Sequence, residues 1–139
     1  MARILAIDYG KKRTGIATTD NLQIIAYGLT TVETKNLLDF LKKYLEKENV
    51  ETIVFGKPVR EDGSTGEIFY EAQKIARKIQ NLFPNIKIDY VNEAYTSIRA
   101  VEEMIKAGVK KKKRRIKANI DKMSAALILQ EYLREIGKM

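Results

Sequence analysis

Residues 3–31 read RILAIDYGKKRTGIATTDNLQIIAYGLTT, and this stretch decides the fold. Its first apolar run predicts a buried strand that ends on Asp8. Two further runs rich in β-branched residues follow at hairpin spacing, with Asp20-Asn21 as the turn between them. The stretch therefore predicts three antiparallel strands, over residues 3–8, 14–19 and 23–31.

The remainder of the chain alternates between helical and strand patterns. Apolar spacing and capping signals predict helices over residues 34–48, 64–83, 96–107 and 119–135. Short apolar runs predict strands over residues 52–55 and 86–91. Strands that are separated by helices and share a sheet must be parallel. The element order βββαβαβαα therefore predicts an α/β fold in which helices flank a mixed five-stranded sheet.

The length and composition indicate a single domain over residues 1–139. Hydrophobic residues make up 45% of the chain, which is typical of a folded protein. No apolar run approaches the roughly 20 residues of a membrane span, and the first residues lack a secretory pattern, so we expect a cytoplasmic protein. Cysteine and histidine are absent, which excludes disulfides and every mechanism that needs a thiolate or an imidazole.

The positive charge of the chain is concentrated in one segment. The formal net charge is +8, and residues 99–117 hold nine basic and two acidic side chains. A block of one sign is typical of a surface that binds a polyanion, although a solubilising lysine-rich loop explains the run equally well. The basic residues of this segment are Arg99, Lys106, Lys110, Lys111, Lys112, Lys113, Arg114, Arg115 and Lys117.

Three acids that are far apart in the sequence are predicted to meet. Asp8 closes the first strand and Glu93 follows the strand that ends at Val91, so both belong to the carboxyl edge of the sheet. Asp121 falls in the first turn of the last predicted helix, and it joins them if that helix packs its N-terminus over the same edge. Each acid alone has a simpler explanation, as a turn acceptor, a helix-dipole partner or a surface residue. Their convergence beside a basic segment favours a functional site.

A cation is the natural partner of three crowded carboxylates. Without one, their mutual repulsion would raise their pKa values. Carboxylate oxygens favour a hard divalent ion, Mg²⁺ or Mn²⁺, which activates water and neutralises charge on a phosphodiester. This chemistry needs no histidine, so the composition is compatible with a metal-dependent nuclease.

The loop after the first strand carries a second cluster of cations. Residues 8–15 read DYGKKRTG, which resembles a loop that grips phosphate. The two glycines of this loop are equally explained by the needs of a tight turn. Three of its residues are predicted to bind the nucleic-acid backbone: Lys11, Lys12 and Arg13.

Four motifs, in order, resemble those of the YqgF family of bacterial RNase H-like proteins. They are residues 7–17, then Gly56-Lys57-Pro58 followed by Asp62-Gly63-Ser64, then residues 92–97, and finally residues 121–133. Together they span nearly the whole chain, and their order makes the resemblance specific. Two positions depart from the family pattern, because Asn92 stands in place of an acid and Ala94 in place of an arginine that could grip a phosphate.

The resemblance implies an RNase H-like fold with strand order 3-2-1-4-5 and a nuclease site at Asp8, Glu93 and Asp121. Family members are described as Holliday junction resolvases by similarity to RuvC. They are also described as nucleases that process the 5′ end of the small-subunit ribosomal RNA precursor. We favour the RNA-processing role, and the choice between a monomer and a homodimer stays open.

The leading hypothesis is a metal-dependent endonuclease in ribosome biogenesis. In this hypothesis the phosphates of the nucleic acid are bound by Lys11, Lys12, Arg13, Arg99 and the basic block, residues 110–117. A resolvase of four-way DNA is the alternative within the same chemistry. A non-catalytic RNA-binding assembly factor is the alternative from another class, and it would bind in a salt-sensitive way without metal dependence. An actin-like ATPase also begins with an Asp-x-Gly strand end, but it needs two lobes around its nucleotide, and one domain provides only one.

Overall fold

The computed structural model of the protein describes residues 2–58, 66–93, 96–114 and 117–138, and only the backbone at Pro58, Glu93, 96–99, Val101, Arg114 and Lys117. Five strands form a sheet in the order β3-β2-β1-β4-β5, which confirms the predicted mixed sheet. The strands are β1 (Arg3–Asp8), β2 (Arg13–Thr19), β3 (Ala26–Glu33), β4 (Val50–Pro58) and β5 (Lys87–Glu93).

The sheet combines an antiparallel half with a parallel half. β1 pairs antiparallel with β2, which places Asp8 opposite Gly15, and β2 pairs antiparallel with β3. On its other side β1 pairs parallel with β4, and β4 pairs parallel with β5. The strands β1, β4 and β5 therefore all end at one side of the sheet, called the carboxyl edge below, where sites of α/β proteins gather.

Helices cover both faces of the sheet. The described residues contain α1 (Leu37–Lys47), α2 (Gly66–Leu82), α3 (Thr96–Lys106), α4 (Lys111–Arg114) and α5 (Lys117–Glu135). Alternation along β1 sends Leu5 and Ile7 to the face covered by α1 and α2. Ile4 and Ala6 project to the opposite face, where they pack against α5. None of the helices in the described part of the chain is long and apolar enough to cross a membrane.

The hairpin between β2 and β3 differs from the prediction because Asp20 organises its turn. The Asp20 carboxylate accepts hydrogen bonds from three backbone N–H groups, at 3.3, 2.7 and 2.9 Å, those of Leu22, Ile24 and Ile25. Within the turn, Gln23 has a φ of 59°, in the left-handed region. The turn therefore lasts longer than predicted, and β3 covers Ala26–Glu33 in place of residues 23–31.

Asp20→Ala is expected to lower the melting temperature because it removes the acceptor of these three bonds. These hydrogen bonds hold the pKa of Asp20 below its ordinary value of 3.8, and the bond from the Ile25 N–H has the largest effect. A carboxylate with a lowered folded-state pKa stabilises the fold above its unfolded pKa and loses this effect as the pH falls through the folded value. Thermal melts should therefore separate variant from parent at neutral pH and converge at a pH below the lowered pKa. The control Asn21→Ala should melt like the parent at both pH values. A difference in melting temperature between Asp20→Ala and the parent that is equal at both pH values would contradict this account.

Helix boundaries also depart from the prediction. The first predicted helix, residues 34–48, is a short 3-10 turn (Thr34–Asn36) followed by α1. The last helix begins at Lys117 and not at residue 119, so Asp121 lies in its second turn and not in its first. The capping signal predicted at the start of the second helix lies at residues 64 and 65, which are outside the described residues.

Candidate active site

Asp8 lies at the carboxyl edge, where β1 ends, as predicted. It pairs with Gly15 across the antiparallel ladder, and paired residues project to the same face of a sheet. Ile4 and Ala6 share the alternation of Asp8 along β1, and both pack against α5. The Asp8 side chain therefore belongs to the face that α5 covers.

The backbone of α5 approaches the sheet very closely at Gly15. A Cβ atom on Gly15 would overlap the backbone carbonyl oxygen of Asp121 and would stand 3.2 Å from the Asp121 Cα. Close by, the Thr31 hydroxyl donates a hydrogen bond of 2.7 Å to the Ala118 carbonyl. Because Gly15 stands opposite Asp8, its missing side chain brings Asp121 beside Asp8. The predicted packing of the last helix over the carboxyl edge is confirmed.

Gly15 therefore has a different role from the one that the sequence suggested. It lies inside β2, and the described glycines with positive φ are Gly66, Gly108 and Gly137. Turn geometry thus does not explain Gly15, whereas the approach of the helix backbone does. A glycine inside a strand pattern is a known sign of such an approach, and this sign was available in the sequence.

Arg13 forms an ion pair with Asp121 that the sequence did not indicate. Its Nε lies 3.0 Å from Asp121 Oδ2, and the two side chains are 39% and 23% exposed. Arg13 begins β2, two positions before Gly15, so the two residues share a strand face. The guanidinium thus neutralises one of the acids that the sequence predicted to bind a metal.

Glu93 is the last residue of β5, and so belongs to the strand rather than lying beyond it. Its backbone pairs with Pro58 at the end of β4, which puts it at the carboxyl edge with Asp8. One strand, β4, separates the ends of β1 and β5, and at the level of Asp8 this strand has the buried Gly56. The side chain of Glu93 lies outside the description, so its approach to the two aspartates stays a prediction.

The donor set fits a hard divalent cation. Asp8 and Asp121 offer carboxylate oxygens, which Mg²⁺ and Mn²⁺ prefer, and both acids come from packed elements. Among the side chains that the structure describes, no three acids lie close enough to form a complete metal site. The third predicted ligand, Glu93, is not among those side chains. The described side chains therefore include two of the three predicted metal ligands.

Tyr9 follows Asp8 but belongs to the other side of the sheet. Its ring packs against the apolar cluster under α1 and α2, and its hydroxyl lies 3.5 Å from Glu71. Burial is the main cause that raises the pKa of Tyr9, and the nearby Glu71 carboxylate raises this pKa further. The phenol is therefore neutral at physiological pH and lies on the face opposite Asp8 and Asp121.

A basic cleft of about 500 Å³ includes Arg13, the ion-pair partner of Asp121. It is lined by Lys11, Lys12, Arg13, Glu33 and Lys35. The loop that carries its first lysines is anchored at Thr34, whose hydroxyl donates to the Gly10 carbonyl at 2.6 Å and lies 2.8 Å from the Thr14 hydroxyl. The three residues of this loop that were predicted to bind phosphate thus line one cleft. Lys35 also lines it, and the sequence did not indicate this because Lys35 follows β3 and is distant from the loop in the sequence.

The basic block lies beside the N-terminal part of α5. Lys110 to Lys113 are exposed, and Asn119 of α5 donates a hydrogen bond of 3.1 Å to the Lys113 carbonyl. Lys113 and Lys122 line a pocket of about 320 Å³ together with apolar residues. The other predicted members of the phosphate-binding set have side chains outside the description: Arg99, Arg114, Arg115 and Lys117.

Comparison with known proteins gives a family match over nearly the whole chain. A family model described as RuvX, Holliday junction resolvase, matches residues 2–135. A relative from Phocaeicola vulgatus is 50% identical over 133 residues, which cover 96% of each chain. A relative from Christiangramia forsetii is 47% identical over 135 residues, covering 97% of this chain and 100% of the relative. Both relatives carry the provisional name pre-16S rRNA nuclease.

A solved structure shares the fold. RuvC from T. thermophilus, in complex with a Holliday junction substrate, matches with a TM-score of 0.55 and 13% sequence identity. The match covers 98% of this chain and 97% of that one. At this identity the likeness bears on the fold alone, and it agrees with the RNase H-like sheet order 3-2-1-4-5.

Proposed function

Because the chain belongs to the RuvX family of Holliday junction resolvases, we propose that it is a divalent-metal-dependent endonuclease that processes the 5′ end of a 16S ribosomal RNA precursor in the cytoplasm. The observation that carries this proposal is the close approach of the Asp121 backbone to Gly15, the residue that pairs with Asp8 at the carboxyl edge. The provisional names of relatives at 47% and 50% identity support RNA as the substrate.

In this proposal Asp8, Glu93 and Asp121 hold Mg²⁺ or Mn²⁺. Bound there, such an ion would activate water and neutralise charge on the scissile phosphate. Asp8 stands at the end of a buried strand and Asp121 on a packed helix, so both are held in place before a substrate arrives. Arg13 neutralises Asp121 in the absence of the ion, which lowers the cost of placing two acids together.

The cations around the acids suit the backbone of a structured nucleic acid. Lys11, Lys12 and Lys35 line the basic cleft, and the exposed lysines of the basic block lie beside α5. Contacts of this type position a nucleic acid through its phosphates and carry little base information. We therefore propose that the protein recognises the shape of its substrate, with cleavage position set by where the backbone passes the two aspartates.

Substrate choice tests the proposal against its alternatives. With Mn²⁺, the purified protein is expected to cut a 16S precursor fragment and to leave a four-way DNA junction intact, and EDTA should stop the reaction. Gel analysis of both labelled substrates measures this. Preferential cutting of the junction would make the protein a resolvase. Metal-independent RNA binding without any cleavage would make it an assembly factor.

Replacing Lys110, Lys111, Lys112 and Lys113 by alanine is expected to weaken RNA binding and flatten its salt dependence. Each phosphate contact releases counterions, so losing four contacts lowers the slope of log K against log salt by about 3. Binding curves at several salt concentrations measure this slope. Alanine at four exposed lysines elsewhere is the matched control and should change it little: Lys47, Lys74, Lys78 and Lys87. Equal slopes for both variants would remove the basic block from the binding surface.

A further inference from the structure

We propose that Arg13 couples metal binding at Asp121 to phosphate binding in the basic cleft. The inference rests on the proposed function, since it takes Asp121 as a metal ligand and nucleic acid as the occupant of the cleft. It goes further by giving one side chain two competing partners. In the absence of substrate Arg13 holds Asp121, and a phosphate that enters the cleft draws the guanidinium away.

The position of Arg13 makes both partners accessible to it. Its Nε stands 3.0 Å from Asp121 Oδ2, and its side chain also lines the basic cleft with Lys11, Lys12 and Lys35. The backbone of Arg13 is fixed, because it pairs with Glu33 at the start of β2. The exchange therefore requires movement of one half-exposed side chain and no movement of the fold.

The ion pair works against a cation at Asp121. A carboxylate oxygen that accepts a hydrogen bond from a guanidinium has less negative potential to offer a metal ion, and the positive charge of Arg13 repels that ion directly. A partly exposed ion pair contributes at most about 1 kcal/mol, which corresponds to an affinity change of roughly two- to fivefold. Without nucleic acid, the site is thus held below its full metal affinity.

A phosphate in the cleft is a strong competitor for the guanidinium. Arginine binds phosphate through two parallel charge-assisted hydrogen bonds, a geometry that a single contact with Asp121 does not provide. Once Arg13 turns to the phosphate, the Asp121 carboxylate is no longer engaged by the guanidinium and is available to the metal ion. Binding of nucleic acid and of metal should therefore favour each other, and linkage requires the two effects to be equal in size.

The first experiment measures Mn²⁺ alone, by the loss of the free-ion electron paramagnetic resonance signal. Arg13→Gln should bind Mn²⁺ about two- to fivefold more tightly than the parent in the absence of nucleic acid. Arg77→Gln is the matched control, because it removes an exposed guanidinium from α2, on the face of the sheet opposite α5. Its Mn²⁺ affinity should stay close to that of the parent, since salt screens its distant charge. Arg13→Lys, which keeps the charge, should fall between parent and Arg13→Gln.

The second experiment adds a saturating short RNA duplex, whose integrity is checked on a gel afterwards. RNA should tighten Mn²⁺ binding by the parent and by Arg77→Gln to a similar degree. The gain in Arg13→Gln should be smaller by about the same two- to fivefold factor, because this variant has no guanidinium to release. Circular dichroism of each variant confirms that the comparison is made between folded proteins.

Three outcomes would overturn the inference. Unchanged Mn²⁺ affinity in Arg13→Gln would show that the ion pair does not oppose the metal. Weaker Mn²⁺ binding would mean that Arg13 orients the Asp121 carboxylate for the ion. Equal Mn²⁺ binding by the parent and Asp8→Asn would remove the metal site itself, and only this last outcome would also end the proposed function.

Discussion

Asp8→Asn is expected to lower the rate of precursor-RNA cleavage by about a thousandfold while RNA affinity stays unchanged. A metal ion contributes several kcal/mol to stabilising the transition state, and each 1.4 kcal/mol or so is a factor of ten in rate. Asparagine keeps the shape of Asp8 but removes the charge that would hold the ion. The lysines proposed to bind RNA lie on the β1–β2 loop, in the 3-10 turn after β3 and in the basic block. Single-turnover cleavage with Mn²⁺ and RNA binding in EDTA measure the two effects separately.

Asp39→Asn is the matched control for this prediction. Asp39 is an exposed acid in α1, which packs on the face opposite α5. Its replacement makes the same change of charge away from the candidate site and should leave cleavage unaffected. Full activity in a homogeneous preparation of Asp8→Asn would show that the measured cleavage does not depend on this carboxylate.

Gly15→Ala is expected to destabilise the fold by about 3 kcal/mol or more and to lower the melting temperature by roughly 10 °C. The added Cβ would overlap the carbonyl oxygen of Asp121, which is helix backbone and cannot rotate away. To relieve the overlap, α5 must shift from the sheet, and this shift carries Asp121 away from Asp8. Folded Gly15→Ala should therefore also lose cleavage, and thermal melts with cleavage assays measure both losses.

Gly28→Ala is a graded control on the neighbouring strand. A Cβ on Gly28 would meet the Lys122 Cβ at 3.0 Å and the Lys122 carbonyl oxygen at 3.2 Å, a tight but smaller conflict with the same helix. We expect a loss of about 1 kcal/mol. If Gly15→Ala melted no lower than Gly28→Ala, the close approach at Gly15 would not be what sets the position of α5.

Most of the fold was predictable because its elements follow from local patterns. The alternation of residues 3–31 gave the antiparallel strands, and helices between later strands required parallel pairing. The placement of β4 beside β1 came from the family resemblance, since periodicity does not say which side of a hairpin receives the next strand. Boundaries were harder to predict because they depend on tertiary contacts. The turn at Asp20 shortened the start of β3, and β4 extends to Val50–Pro58 where only its apolar centre was predicted.

The candidate site was predictable in part. Strand polarity alone placed Asp8 and Glu93 at one edge, because they lie at the carboxyl ends of parallel strands. Predicting the position of Asp121 required the direction in which α5 packs on the sheet, and helical periodicity does not determine this direction. The ion pair of Arg13 with Asp121 joins residues from the two ends of the chain, and no local pattern reports such a contact. Lys35 was missed for the same reason.

The contact between Gly15 and Asp121 also has a consequence for a protein during its synthesis. The strands are translated first, and α5, the last of the helices in the described part of the chain, is translated after them. A nascent polypeptide that stops short of α5 has Asp8 but lacks Asp121, one of the proposed metal ligands. Under the proposed function, RNA cleavage therefore becomes possible only after α5 has packed on the sheet, and half-made copies on the ribosome should be inert toward the RNA around them.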